Sequence, residues 1–273
     1  DYGRSRGLGD VYKRQSKLFD DFSKNIKQGK TYQIKIAQTY SKKGNINAID
    51  LFWKLMQINE SPESFLIRDK GYSIISCSPE TLLLKKGDLI KTKPIAGTLR
   101  KTKKINHNKA LAFFRRNEKE NKEHNMIVDM ERNDLSKICK TGSVKIDKLK
   151  TVEEYRDLFH YVTTIKGVLK NKITNHDIIS SLMPGGSVIG CPKISTIQLL
   201  NKKEKSDRNI YTGSFGIIHS NGDMRFNIMI RTLLNFKNSI ELSVASGVIL
   251  GSTAKKEYNE NYIKAKSLLD LFN

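Results

Sequence analysis

The chain has 273 residues, 38% of them hydrophobic and 28% charged, which is enough apolar material for a real core and excludes a disordered tail. Lysine and arginine number 49 against 28 acidic residues, a net charge of +21, and only 12 of the 49 are arginine. Mean hydropathy is −0.49 and no stretch nears eighteen uninterrupted apolar residues, so neither a membrane-spanning helix nor a membrane partner is expected.

In chain order, Asp1 to Gln15 is basic and glycine-rich without a hydrophobic period, and the first residue is not Met. The sequence predicts this stretch, 1–15, to be non-native or disordered, in a fragment whose native N-terminal part is missing, and residues 16–273 to be the folded unit. Phe19, Phe22 and Ile26 then predict an amphipathic helix ended near Gly29, followed by a strand over Tyr32 to Tyr40. A second helix fits Asn47 to Met56. Strands follow at Ser64 to Arg68, Tyr72 to Cys77, Thr81 to Lys85 and Asp88 to Thr92, separated by glycine-containing turns.

The middle is helical, with Lys109 to Val128 highly charged and with Ile178 to Leu182 and Ile194 to Leu200 on either side of a glycine-rich loop. Strands return at Tyr211 to His219, Met224 to Asn235 and Ser239 to Ile249, before a last helix over Ala254 to Phe272. Long strands and separate helices without βαβ alternation predict an α+β fold.

The positive charge raises the question of nucleic acid. Lysine is scattered through every element, without a stripe of interleaved aromatics, and no reader motif is present, so no nucleic-acid partner is expected. Cys77, Cys139 and Cys191 are odd in number and lack a C-x-x-C pair, which fits a reducing cytoplasm rather than a disulfide framework or zinc site. P-loop, dinucleotide-binding, G-x-S-x-G and H-E-x-x-H motifs are absent.

Two acidic clusters stand out in so basic a chain: Glu118, Glu120 and Glu123, followed by Asp129, Glu131 and Asp134, and, on the last helix, Glu257 and Glu260 with Lys264 four residues after Glu260. Carboxylates from two helices facing one cleft suit magnesium; solvated helix faces with i,i+4 pairing account for the same spacing. Arg231, in I-M-I-R-T, falls inside an apolar strand pattern, where a cation needs an anionic partner from the protein or from a substrate. His160 is placed equally well as a core histidine or as a catalytic one.

Eight strings in order carry a resemblance: C-S-P-E from Cys77, K-P-I-A-G-T from Lys93, E-H-N-M-I-V-D-M-E-R-N-D-L from Glu123, F-H-Y-V-T-T from Phe159, P-G-G-S-V-I-G-C-P-K from Pro184, Y-T-G-S-F-G from Tyr211, N-G-D-M-R-F-N-I-M-I-R-T from Asn221 and E-Y-N-E-N-Y-I-K-A-K from Glu257. Together they resemble the chorismate-utilising enzymes. That resemblance implies two large antiparallel sheets in a sandwich with helices outside, and a catalytic domain over 16–273 with a Mg2+ site in the cleft. By position it implies that Glu123 and Glu260 hold the metal, with Glu257 supporting it. Tyr211 and Arg231 would hold the enolpyruvyl carboxylate, with Thr98, among the catalytic residues, and Gly247 nearby, and Lys264 the ring carboxylate. Glu80 would be the general acid and His160 would serve pyruvate elimination.

Within the family, Gln33 stands where the water-adding enzymes carry a lysine base, although Lys35 faces the same side. Ala96 stands where many aminodeoxychorismate synthases carry a nucleophilic lysine. The surrounding strings, such as G-D-M-R-F-N-I, resemble aminodeoxychorismate synthase more than anthranilate synthase. The resemblance thus implies amination of chorismate to 4-amino-4-deoxychorismate, with anthranilate synthase as the alternative and isochorismate or salicylate synthases further off. None of the three cysteines lies in a glutaminase motif, so a separate glutamine amidotransferase subunit is expected to supply ammonia.

Overall fold

The computed structural model describes residues 8–58, 61–155, 158–236 and 238–272. Two antiparallel sheets and the helices packed on them make the expected α+β architecture. The first sheet has the order β2-β3-β12-β13-β1-β9, built from β1 (Gln33–Lys43), β2 (Glu63–Asp69), β3 (Tyr72–Ser78), β9 (Gly190–Cys191), β12 (Thr232–Phe236) and β13 (Ser239–Ile249). The second has the order β10-β11-β4-β5-β8-β6, with β7 also paired to β8. Its strands are β4 (Thr81–Lys86), β5 (Leu89–Thr92), β6 (Ile95–Arg100), β7 (Lys145–Glu154), β8 (Leu158–Val168), β10 (Gly216–Ile218) and β11 (Met224–Asn227).

Helix α1 (Leu8–Lys27) takes in part of the stretch set aside on composition, because Phe19, Phe22 and Ile26 anchor a helix that its less apolar start can extend. Residues 1–7 lie outside the described part. Helix α2 (Ala48–Ile58) packs Leu51 and Leu55 onto the first sheet with Ile75 and Leu242. α8 (Ala254–Leu269) covers the same core through Ala265, Leu268 and Leu269.

The charged middle is two helices, not one: α3 (His107–Arg116) and α4 (Glu118–Ile138) divide at Asn117, whose side chain accepts from the Glu120 N–H and caps α4. On α4, His124, Ile127, Val128, Glu131, Leu135 and Ile138 are buried, a mixed polar and apolar face that blurs the helical period. α5 (Asn175–Leu182), the short α6 (Gly186–Ile189) and α7 (Lys193–Lys203) follow. β6 and β7 have no counterpart in the sequence expectations, since glycine and lysine hide their alternation.

The chain passes between the sheets twice in adjacent places. Ser78 to Thr81 joins β3 to β4, and Ile228 to Arg231 joins β11 to β12. The two crossings bind each other: Ser78 Oγ donates to the Ile228 carbonyl at 2.5 Å, the Ile228 N–H to the Glu80 carbonyl at 3.0 Å and the Cys77 N–H to the Arg231 carbonyl at 3.2 Å. The single strand expected over Met224 to Asn235 is therefore two. Arg231 lies in the break between them, at a left-handed φ of 49°. The strand expected from Tyr211 likewise starts only at Gly216; Tyr211 precedes Thr212, at φ 69°, in a turn bonded to Met229 of the second crossing.

Candidate active site

The first group of site residues gathers where α4 and α8 meet strands β1 and β13. In antiparallel register Lys35 is the partner of Gly247. Lys35 Nζ donates to Glu123 Oε1 at 2.5 Å and Gln33 Nε2 donates to the same oxygen at 2.7 Å. Alternation along β1 puts both side chains on one face, as the spacing predicts. A side chain at Gly247 would enter this cluster: its Cβ would lie 2.8 Å from Gln33 Nε2, 2.8 Å from Lys35 Nζ and 3.0 Å from Glu123 Oε1.

From α8, Glu257 is buried and accepts from Lys119 Nζ at 2.8 Å, and the same ammonium lies 3.8 Å from Glu260 Oε2. Lys264 Nζ donates to Glu260 Oε1 at 2.7 Å and to the Ala245 carbonyl at 3.1 Å. Burial would raise the Glu123 and Glu260 carboxyls, but Lys35 beside the one and Lys264 beside the other hold both below the ordinary carboxylate range. Glu120 moves the other way, raised by burial and by the charges of Glu123 and Glu260. Glu120 and Glu123 thus converge with Glu257 and Glu260, bridged by Lys119, while Lys35 and Lys264 each pair with one carboxylate and Glu118 stays exposed beside Lys122.

The donor set suits a hard cation. All four groups offer oxygen, one ammonium already bridges two of the carboxylates, and Glu257 Oε2 is buried without a hydrogen-bond partner among the described residues. No three His, Cys, Asp or Glu side chains form a closed ligand cage among the described residues. Magnesium commonly takes one or two carboxylates and completes its shell with substrate and water oxygens.

The second group lies at the sheet crossings. Glu80 is 4% exposed, and burial raises its carboxyl to about 7 against the pull of Ser187, the Ile95 backbone, Lys35 and Arg231. Arg231 is destabilised as a cation by burial, and of the ionisable groups it feels, Cys77, Glu80 and Tyr155, only Glu80 is a carboxyl. Of the two partners the sequence left open, the internal carboxylate is thus at most Glu80, with which Arg231 forms no ion pair among the described residues. Tyr211 is buried and its hydroxyl is shifted upward by burial, so it stays neutral.

Across β6 and β8, Thr98 Oγ1 lies 3.0 Å from His160 Nδ1. His160 is 1% exposed, its ring is 5.2 Å from Tyr155, and burial with the nearby Arg231 lowers it to about 3, so it is neutral. Gly97, at φ 95°, lets β6 pass under α3 and α4: a Cβ there would meet Phe114 Cε1 at 2.9 Å and Glu120 Oε2 at 3.1 Å. Ala96 is buried against Ile127 and Met130.

Sequence reasoning passed over Lys119, which was legible in part, since it lies one turn before Glu123. Glu120 and Glu131 stood in the first acidic run without a role of their own, because their environments are made by other elements.

The chain matches the family described as chorismate binding enzyme over residues 12–270, and it belongs to that family. It is 34% identical over 251 residues to aminodeoxychorismate synthase component 1 of Bacillus subtilis, covering 92% of this chain and 53% of that protein. It is 35% identical over 246 residues to an anthranilate synthase component 1 of Haloarcula marismortui, covering 90% and 50%. The chain thus spans about half the length of these curated relatives. Among solved structures, anthranilate synthase component I from Streptococcus pneumoniae superposes with a TM-score of 0.86 at 31% identity, over 94% of this chain and 57% of that one. The menaquinone-specific isochorismate synthase of Escherichia coli shares the fold, with a TM-score of 0.85 at 20% identity over 96% and 61%. No helix among the described residues is long and apolar enough to cross a membrane.

Proposed function

We propose that the chain aminates chorismate, forming 4-amino-4-deoxychorismate with ammonia from a glutamine amidotransferase subunit. The observation that carries this reading is the nearness at the sheet crossings of Glu80, a buried carboxyl raised to about 7, to Arg231, a half-buried guanidinium that forms no ion pair among the described residues. Loss of the ring hydroxyl needs a proton at the leaving oxygen, and an acid with a pKa near 7 delivers it well. A dianionic substrate supplies the anion that Arg231 lacks, and Tyr211, from the adjoining turn, orients the same carboxylate. Glu123 and Glu260, supported by Glu257, would hold Mg2+, which when bound neutralises the ring carboxylate and fixes the ring. Lys264 meets the same carboxylate from α8. Gly247 leaves room for it.

Amination rather than hydration is supported by Gln33, whose amide cannot take a proton from water. The aminodeoxychorismate branch is supported by the strings around Ala96 and by the Bacillus subtilis relative. A second reading, anthranilate synthase, is favoured by Ala96, which offers no covalent nucleophile, and by the Thr98–His160 pair on the same two strands. Both readings imply a separate ammonia source, which the relatives' names as component 1 support.

The test is to incubate the purified chain with chorismate, magnesium and ammonium and to identify the product by mass and fluorescence. Aminodeoxychorismate without pyruvate is expected. Anthranilate with pyruvate moves the chain to the second reading, and isochorismate or salicylate rejects amination.

A further inference from the structure

Behind Glu80 lies a second buried carboxyl that no step so far uses. Glu131, on the inward face of α4, is 7% exposed and makes no salt bridge among the described residues. Four polar atoms in this region are buried without meeting hydrogen-bond geometry: Glu80 Oε1, Ser187 Oγ, Thr92 Oγ1 and Glu131 Oε2. Ser187 is nonetheless close enough to Glu80, and Thr92 to Glu131, to favour each ionised form, and the charge of Glu80 raises Glu131. A group of buried, unmatched polar atoms suits internal water, which needs two to four polar partners of this kind.

We propose that Glu131 is a positioning residue for Glu80: joined to it through Ser187, Thr92 and internal water, it returns the proton that Glu80 gives to the departing ring hydroxyl. The inference rests on the reading of Glu80 as the reaction acid. When the ring carbon–oxygen bond breaks, its electron pair leaves on oxygen, the Glu80 proton makes that oxygen water, and Glu80 remains as carboxylate. The Glu131 carboxylic acid then releases a proton that travels along the hydroxyls and water to Glu80. Glu131 is reloaded from solvent by way of Asp134, whose partner Lys137 is half exposed.

The surroundings suit a proton store. Burial raises Glu131 to about 8, Glu80 and Asp134 push it the same way, and Thr92 and Lys193 oppose. Lys193 is occupied elsewhere, bonded to Asp134 Oδ2 at 2.7 Å and to the carbonyls of Ser181, Leu182 and Pro184 at 3.1 to 3.2 Å, so it does not neutralise Glu131. Facing Glu80 are Lys35 from β1, Arg231 from the second crossing, Tyr211 from its turn, Ser187 from α6 and the Ile95 backbone from β6. With Glu131 neutral below its pKa and negative above it, the two carboxyls titrate as a coupled pair.

The experiment follows the carboxyl C=O infrared bands of the whole chain across pH, together with pH profiles of turnover, for the native chain, Glu131→Gln, Glu131→Asp and Thr92→Val. Glu131→Gln is expected to remove the protonated-carboxyl band of higher midpoint, and Glu80→Gln to lower the midpoint of that band by about one pH unit, since the charge of the Glu80 carboxylate is gone. The kcat of Glu131→Gln should fall about tenfold or more with KM within twofold. Glu131→Asp should restore part of the band and of kcat, and Thr92→Val should slow turnover while both bands remain. An unchanged kcat in Glu131→Gln, or a Glu131 band unmoved in Glu80→Gln, overturns the proposal. Glu80→Gln separates the two layers: turnover that survives it overturns the role of Glu80, and with it the relay, even where the spectra show coupling.

Discussion

Lys119 Nζ, on α4, donates to Glu257 Oε1, on α8, at 2.8 Å, so a single ammonium ties two helices that pack on different sheets. It also lies 3.8 Å from Glu260 Oε2, and Glu257, Glu260 and Glu123 together favour its charged form. A divalent cation placed among these carboxylates has the same electrostatic reason to be there.

Glu260→Gln should therefore abolish magnesium-dependent turnover, by roughly a thousandfold if the metal supplies several kcal/mol to the transition state. The fold should persist, because Glu260 is half-exposed and its loss breaks only the contacts to Lys264 and Lys119. Assays with and without chelator, together with circular dichroism, check both parts. Near-normal rates would remove Glu260 from the metal site.

Gly247→Ala should lower turnover by about a hundredfold, in line with the cost of moving reacting groups by a fraction of an ångström to one ångström. The added Cβ meets the ends of Gln33, Lys35 and Glu123, which are flexible, so the melting temperature should change little. A large loss of Tm with a proportionate loss of folded protein would show that the glycine serves packing instead.

Arg231→Ala is expected to weaken chorismate binding by about 2 kcal/mol or more, roughly thirtyfold in Kd, because a charged hydrogen-bond partner of the substrate is lost. Arg231→Lys should rescue little, since a point ammonium does not reproduce a bidentate guanidinium. Calorimetric titration with chorismate measures both, and unchanged affinity in Arg231→Ala would exclude the contact.

The neutral, buried His160 makes the fold acid-sensitive. Its folded pKa is depressed to about 3 from an ordinary value of 6.5, so between these values the unfolded chain binds a proton that the native chain does not. Stability from this group is present in full above pH 6.5 and is lost as pH falls below it, about 2 kcal/mol by pH 5. Thermal unfolding of the native chain should thus lose more between pH 7 and pH 5 than that of His160→Gln. Equal losses would show that His160 titrates in the native state.

Much of the scaffold was legible from periodicity. Alternation of Tyr32, Ile34 and Ile36 specifies β1, and the anchors of α2 and α8 specify helices that cover one sheet, because burying one face imposes a period of two or 3.6 residues. Where several elements shape a segment at once, the period fails. Asn117 splits one expected helix into two, since a side-chain cap outweighs continued propensity. The 228–231 crossing splits one expected strand because the chain must leave one sheet for the other.

The sequence by itself determined the family: eight strings in order name the residue types. It also set Glu123, Glu257 and Glu260 on helical faces. Only the tertiary structure decided that these faces meet, that Lys35 and Lys119 stand between them, and that Glu80 and Arg231 share two hydrogen-bonded crossings. Those outcomes depend on packing between residues 80 to 150 positions apart, and the electrostatics of a buried carboxyl is set by whatever the fold brings around it.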